Sequence, residues 1–568
     1  MQVQGRWRSM AASPRTRRRS SMWRPCWTPT GATRARLKRS LCAGLMCAAA
    51  ALTAPARALA DPSPSQILAL HAQVMHRSAV TAGPGGTEIR GRIDSGGLTG
   101  TFTDDRLGLE SRSELDLGPI VDLTVDDGTH IWKSDENGDV WELTGVLRAR
   151  SLTARSIAFE AYATDPAQAE YAGRADSQGR PCYAFYVRAP GGDRQRICID
   201  AKSYLLDSHE FDDGDQPATL TFSDYRTVDG VPLALRVREA FAYSKHALVF
   251  TVEHVRENVA LAPSLFARPP ARSIELQARR VVVPMRRTHS GYEVPVQIAG
   301  HAYWFLLDSG TQGIVVDRSV AAAAGVAVTG QLRAVGARAI DGLGMARLAT
   351  LAVGGATLRD VTVGVLDFSS VSGGTFAAAG VLGFPFFDAA VVRMDSHALT
   401  LEISAPGDIG ASGGGERLAV QLDRRVPVVE GGLDGQSRRD SFLIDTGSSA
   451  ELLLYQRFAR AHPDIVSLVT PARTGSALGG TLTLHDATLA QLTLGSVALY
   501  NVRATVVLAE RGAFADPYDA GSVGMGILRG FVVTFDEPAG ALYLQRGADF
   551  DDGRFRPEYD PSGLPPIR

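Results

Sequence analysis

The chain has 568 residues, 45% apolar and 21% charged, so packed cores are feasible and its length fits about three to four domains of roughly 150 residues each. Its formal charge of −2 joins two unlike parts. Residues 1–60 hold twelve basic residues and no acid, which leaves 47 Lys and Arg against 61 Asp and Glu in 61–568 and excludes nucleic acid or an anionic membrane as the natural partner of that part.

The basic start ends in an export pattern. "RARLKRS" (34–40) precedes the apolar run "LCAGLMCAAAALTA" (41–54) and then "PARALA" (55–60), the plan of a secretory signal with cleavage expected after Ala60. The run is too short to span a bilayer comfortably, so no transmembrane segment is expected in the mature chain. The expected location is across the inner membrane, in the periplasm or associated with the envelope.

"DPSPSQILALHAQVMHRSAV" (61–80) reads as an N-capped amphipathic helix. Alternating strands dominate from about 86 to 265, separated by turns such as Asn137-Gly138. "DENGD" (135–139) lacks the spacing of an EF-hand and is expected to be a hairpin tip. Cys182 and Cys198 flank a Pro-Gly-Gly-Asp turn, so they should face each other across a hairpin and form a disulfide in an oxidising compartment. One helix with a long antiparallel meander suggests a strongly curved sheet wrapped on a helix. In that order of elements the segment resembles the half-barrel of outer-membrane lipoprotein carriers and related periplasmic lipid-binding domains. "ARPPARS" (267–273) is expected to be a linker.

The remainder repeats itself. Phe305 to Val316 aligns without gaps to Phe442 to Leu453, "LAVGGATLRDVTVGVL" (351–366) aligns with "LTLGSVALYNVRATVV" (492–507), and "GVLGFPFFDAAVVRMD" (380–395) with "GSVGMGILRGFVVTFD" (521–536). Matched blocks in one order imply two homologous lobes. Neither lobe contains Lys or Cys, which removes Ser/Lys and Cys nucleophiles; no zinc-binding spacing occurs, so no metal or other cofactor is expected. Each lobe keeps one carboxylate at the same place, Asp308 and Asp445. Two-fold packing would bring them together, where they would share a proton and split in pKa, an arrangement suited to hydrolysing a peptide through an activated water.

Phe305-Leu306-Leu307-Asp308-Ser309-Gly310-Thr311 and Phe442-Leu443-Ile444-Asp445-Thr446-Gly447-Ser448 resemble the D-T/S-G-S/T/A signature of the aspartic proteases. Val381-Leu382-Gly383 and Gly524-Met525-Gly526 resemble the apolar-apolar-Gly element behind the active loop, with Gly383 and Gly526 as its structural glycines. The short lobes are similar to retropepsins rather than pepsins. The resemblance implies catalytic Asp308 and Asp445, with Ser309 and Thr446 interlocking the two loops. Gly310 and Gly447 would allow the turn and close approach. Thr311 and Ser448 would donate to the carboxylates, favouring their charged form and activity extending to acid pH. Flap hairpins are expected at "AIDGLGMA" (339–346) and "SALGGTLT" (476–483). Asp94-Ser95-Gly96 is a third such tripeptide, preceded by polar residues and outside the repeat, and is expected to be a turn.

The expected fold is mainly β: two retropepsin-like barrel lobes preceded by an α+β curved-sheet domain. The expected boundaries are a signal region 1–60, a curved-sheet domain 61–270, lobes 282–404 and 417–546 around a linker 405–416, and a tail 547–568. The expected activity is that of an aspartic endopeptidase acting on a peptide or protein, monomeric because its lobes pair within one chain. The competing readings are a non-catalytic binder of extended peptides and a carrier of lipid or lipoprotein.

Overall fold

The computed structural model describes residues 2–4, 61–75 and 85–550, apart from 96–97, 214–215, 229, 243–246, 338, 373–375, 409–413, 435–437, 464–466 and 469–471. The expected export signal (34–60) and residues 551–568 of the expected tail lie outside the described residues.

The helix expected at 61–80 is described over Pro64–Met75. Ser63 and Gln66 form a capping box: the Gln66 amide donates to Ser63 Oγ (3.3 Å) and the Ser63 amide to Gln66 Oε1 (2.8 Å), satisfying two otherwise orphaned donors. Its buried face, Ile67, Leu68, His71 and Met75, has helical spacing.

The helix packs on a sheet of thirteen strands, all neighbours antiparallel. Two meanders build this sheet. One runs outward from Gly86–Ser95 to Val140–Glu142; the other runs inward from Ala169–Ser177 to Leu248–Val259; they join where Gly86–Ser95 pairs with Leu248–Val259. Ile67 and Leu68 meet Phe185, Val187, Ile197 and Ile199 of the sheet, together with Ile157 and Tyr162. The helix is held at depth by His71, which lies between the Tyr162 hydroxyl and the Tyr204 carbonyl (both 2.7 Å); burial holds its imidazole down at about 4, so it is neutral at ordinary pH. Cys182 and Cys198 lie on adjacent strands, Arg180–Val187 and Gln195–Asp200, and form the expected disulfide with Cα atoms 5.6 Å apart. Asp94 and Ser95 end one strand and pair with Thr99 and Leu98 of the next; Gly96 of that tripeptide lies outside the described residues.

The two barrel-like lobes follow the same path. In the first, His301–Leu307 runs parallel to Gly380–Leu382, which runs antiparallel to Val315–Asp317, which runs parallel to Ala356–Leu366. In the second, Asp440–Asp445, Gly521–Gly524, Leu452–Tyr455 and Val497–Leu508 repeat this order and these directions. A sheet joins the lobes: Val391–Asp395 of the first pairs antiparallel with Phe531–Asp536 of the second, and one apolar core runs through both. The alternation in each active strand explains how it delivers its Asp. Phe305 and Leu307 enter that shared core while Leu306 faces a smaller cluster on the other side, so the strand is fixed on both faces up to the residue before Asp308.

Among the described residues no helix is long and apolar enough to cross a membrane.

Candidate active site

Both Asp side chains stand at the ends of buried strands, at the junction of the lobes. Asp308 leaves His301–Leu307 and Asp445 ends Asp440–Asp445; each is followed at once by a tight turn, with the Thr311 amide donating to the Asp308 carbonyl (3.2 Å) and the Ser448 amide to the Asp445 carbonyl (3.3 Å).

The turns interlock through their hydroxyls, as expected of Ser309 and Thr446. Thr446 Oγ1 accepts from the Ser309 amide (3.0 Å) and donates to the Leu307 carbonyl (2.9 Å). Ser309 Oγ accepts from the Thr446 amide (3.1 Å) and donates to the Ile444 carbonyl (2.7 Å). Each hydroxyl is 1% exposed, so these four bonds are made without competition from water.

The glycines between them set the spacing. A methyl group placed on Gly310 would lie 2.9 Å from Asp445 Oδ1 and 3.3 Å from Asp308 Oδ1; one on Gly447 would lie 2.4 Å from Asp308 Cγ. Each carboxylate therefore rests on the backbone of the opposite loop. Asp308 accepts from the Gly310 amide (2.9 Å) and from Thr311 Oγ1 (2.7 Å), two donors that stabilise negative charge there. Asp445 accepts from the Gly447 amide (3.0 Å).

The second lobe departs from the expectation at Ser448. Its Oγ accepts from the Ala450 amide (3.4 Å), and it is the Ser448 backbone amide that faces the Asp445 carboxylate. Burial first, then the charge of Asp308, push Asp445 up to about 7, and the amides of Gly447 and Ser448 oppose this without cancelling it. The loops are alike in path and both carboxylates are half-buried; they differ in that Asp308 accepts from a side-chain hydroxyl as well as an amide, and Asp445 from backbone amides.

A further correction concerns the glycine behind the second loop. Gly383 was expected to match Gly526, but its counterpart is Gly524. Gly524 pairs with Asp445, and a methyl group on it would meet the carbonyls of Ala450 (2.5 Å) and Ser448 (2.8 Å), as one on Gly383 would meet those of Thr311 (2.2 Å) and Gly313 (2.4 Å). The following residues, Phe384 and Met525, both donate back to those loops, at 2.9 and 2.8 Å. Gly526 lies two residues on, against Glu451.

Two hairpins, one from each lobe, meet at their tips. In the second lobe Arg473–Ala477 turns into Gly480–Leu494, within the expected 476–483. In the first lobe Thr329–Val335 turns into Ala339–Val353 between Val335 and Ala339, so "AIDGLGMA" is the returning strand rather than the tip. The Ala337 amide donates to the Leu478 carbonyl (2.9 Å), and the Ala513 amide to the Gly336 carbonyl (3.0 Å), so the tip of the first hairpin rests on the second lobe at two points. The outer edge of Thr329–Val335 also carries a short antiparallel strand, Gln2–Gln4.

Sequence reasoning missed the acidic group beside this site. Asp423, Asp516 and Asp519 have carboxylate oxygens within 4.8 Å of one another. The Arg424 guanidinium sits on Asp423 and Asp516, supplying the positive charge a cation would bring, and burial and Asp423 push Asp519 well above the ordinary carboxylate range. The group reads as a network in which Arg424 ties Asp423 to the 511–519 loop, on which the first hairpin rests. Asp423 lies far in sequence from Asp516 and Asp519, and the spacing held no signal.

Residues 294–386 and 429–528 match the family model described as aspartyl protease, which bears out the resemblance read from the two Asp loops. No curated protein matches the chain. Among solved structures, an aspartic proteinase from Irpex lacteus is similar at 12% identity over 48% of this chain and 99% of its own, with a TM-score of 0.31. An outer-membrane lipoprotein-sorting protein domain from Vibrio parahaemolyticus (13% identity, 35% and 95% covered, TM-score 0.25) and a LolA superfamily protein from Nitrosomonas europaea (10%, 34% and 96%, 0.24) are also similar.

Proposed function

We propose that the chain is an exported aspartic endopeptidase in which Asp308 and Asp445 share one proton and hydrolyse a peptide bond through a bound water. The observation that carries this reading is the asymmetric, closely apposed carboxylate pair, held by the Ser309–Thr446 interlock. Asp308, with two donors, is the carboxylate and takes a proton from the water as its oxygen attacks the carbonyl carbon. Asp445, pushed up, holds the proton and donates it to the carbonyl oxygen. Collapse of the tetrahedral species then moves a proton to the leaving nitrogen, releases an acid and an amine, and returns the dyad to its singly protonated state. Export is supported by the signal pattern and by the disulfide.

The test is a peptide-library digest by the mature protein from pH 3 to 9, read by mass spectrometry. Internal cleavage that disappears in the dyad variants supports the reading; peptide retention without cleavage favours a binding protein.

Gly447→Ala is a sharper probe of geometry. The added methyl must push the Asp308 carboxylate away from the axis, and displacements of about 1 Å at a reacting group cost on the order of a hundredfold in rate. The expected result is a fall in kcat of that size with an unchanged far-UV circular dichroism spectrum; wild-type kcat would show that the two loops need not touch.

A further inference from the structure

The thirteen-stranded body lies across both lobes, clasped by the hairpin tip 135–139. Asn137 imitates a strand partner to the first lobe: its Nδ2 donates to the Thr362 carbonyl (3.1 Å) and its Oδ1 accepts from the Thr362 amide (2.8 Å). Trp141 packs edge-on against Phe384 of the first lobe, and Ile131, Leu143 and Leu152 join that contact with Leu422 of the second. Arg425, at the turn before Val426–Leu433, reaches Asp135 Oδ2 (2.8 Å), while the Arg272 amide donates to the Gly138 carbonyl (2.8 Å). The segment expected to be a free linker is thereby part of the clasp.

The charges in this clasp do not balance. Asp135, Glu136 and Asp139 come from the tip, Asp388 from the first lobe and Glu537 from the second. The cations facing them are Arg425 of the second lobe and Arg268 and Arg272 of the connecting segment. Asp139 is 0% exposed and neither of its oxygens has a hydrogen-bond partner; the nearest cation, Arg272 Nε, is 3.9 Å from Oδ1. Both Glu537 oxygens are likewise buried without a partner. Asp135, Asp139, Asp388 and Glu537 are buried, whereas Glu136 is half-buried, Arg268 is exposed and only Arg272 and Arg425 reach into the contact, so four buried carboxylates against two guanidiniums would leave a net charge of two, which is prohibitive unless protons supply the difference.

We propose that docking of the thirteen-stranded body onto the lobes is proton-linked: the clasp closes in acid, when its surplus carboxyls are neutral, and loosens as the pH rises through neutrality. The sign follows from the direction of each group. Burial, and then Asp135, push Glu136 up to about 7; the same two causes, then Asp388, raise Asp139 well above its ordinary range. Burial, opposed by the Val140 amide and reinforced by Asp135, pushes Asp388 up to about 7. In water, with the clasp open, these carboxyls would lose their protons near the ordinary value of about 4. Docking therefore takes up protons between pH about 4 and about 7, and over that window its equilibrium constant falls about tenfold per pH unit for each proton taken up. Acid conditions would thus hold the body in place while the dyad works, although the linkage does not depend on the protease reading.

The test is hydrogen exchange of the mature protein between pH 5 and 8, corrected for the intrinsic pH dependence of exchange. Amides of 135–142 and 360–364 report the clasp and those of 305–307 report the lobe core. The expected result is a loss of clasp protection of at least tenfold across that range, with the core unchanged. Asp139→Asn with Asp388→Asn, which need no protons, should weaken the dependence to what Glu136 leaves; if that pair fails to fold, Asp388→Asn alone should reduce it. Clasp protection independent of pH in the wild type would overturn the proposal. So would an unaltered slope in the folded variants, or calcium replacing acid in holding the clasp at pH 8.

Discussion

Replacing Asp445 by Asn is expected to lower kcat on any cleaved peptide by at least about a thousandfold, within the usual range for loss of a positioned acid or base. Asn has the shape of Asp and its oxygen can still accept from the Gly447 amide, so the loop has no reason to move. What disappears is the proton that the proposed mechanism assigns to Asp445. Asp308→Asn should be as severe for the opposite reason: it removes the charge that the Gly310 amide and Thr311 hydroxyl stabilise. Each single variant should fall nearly as far as the double, because the two groups act as one unit. Activity above one tenth of wild type in either variant, with the fold intact by circular dichroism, would end the dyad reading.

The parts of this site that the sequence revealed are those in which local chemistry fixes position. An apolar triplet running into Asp, a small hydroxyl and Gly can be read because each residue serves the same short turn, and its second occurrence at Asp445 gave the meeting of the lobes. Gly526 misled because two glycines flank Met525 and the apolar-apolar-Gly pattern was fitted to the second of them, although the aligned blocks already set Gly524 opposite Gly383, as the strand pairing shows. The first hairpin misled in a similar way. Gly344 lies in the returning strand, where a methyl group would meet Val328 at 2.3 Å, so that glycine answers a close approach rather than a turn. The clasp was out of reach for a different reason. "DENGD" was correctly a hairpin tip, but Asp139, Asp388 and Arg425 come from distant parts of the chain and meet only where the thirteen-stranded sheet lies against the lobes, and no local pattern announces it.

Peptide hydrolysis by the wild-type protein should be sustained in mild acid and decline as the pH rises through about 7, falling about tenfold per unit beyond it. In the proposed mechanism the dyad works only while it holds one proton. Burial and the neighbouring Asp308 charge push Asp445 up to about 7, so that proton is kept below this value and lost above it. The same shift predicts a stability effect of definite sign. A carboxyl raised in the folded state contributes its stability fully below its unfolded value near 4, and loses that contribution as the pH rises through about 7. Asp445→Asn has no proton to lose. Its advantage over wild type in urea unfolding should therefore be absent near pH 4, grow from there to about 7, and stay constant above. A rate profile confined to alkaline pH, or a stability difference that shrinks as the pH rises, would show that Asp445 is not the proton-holding member of the pair.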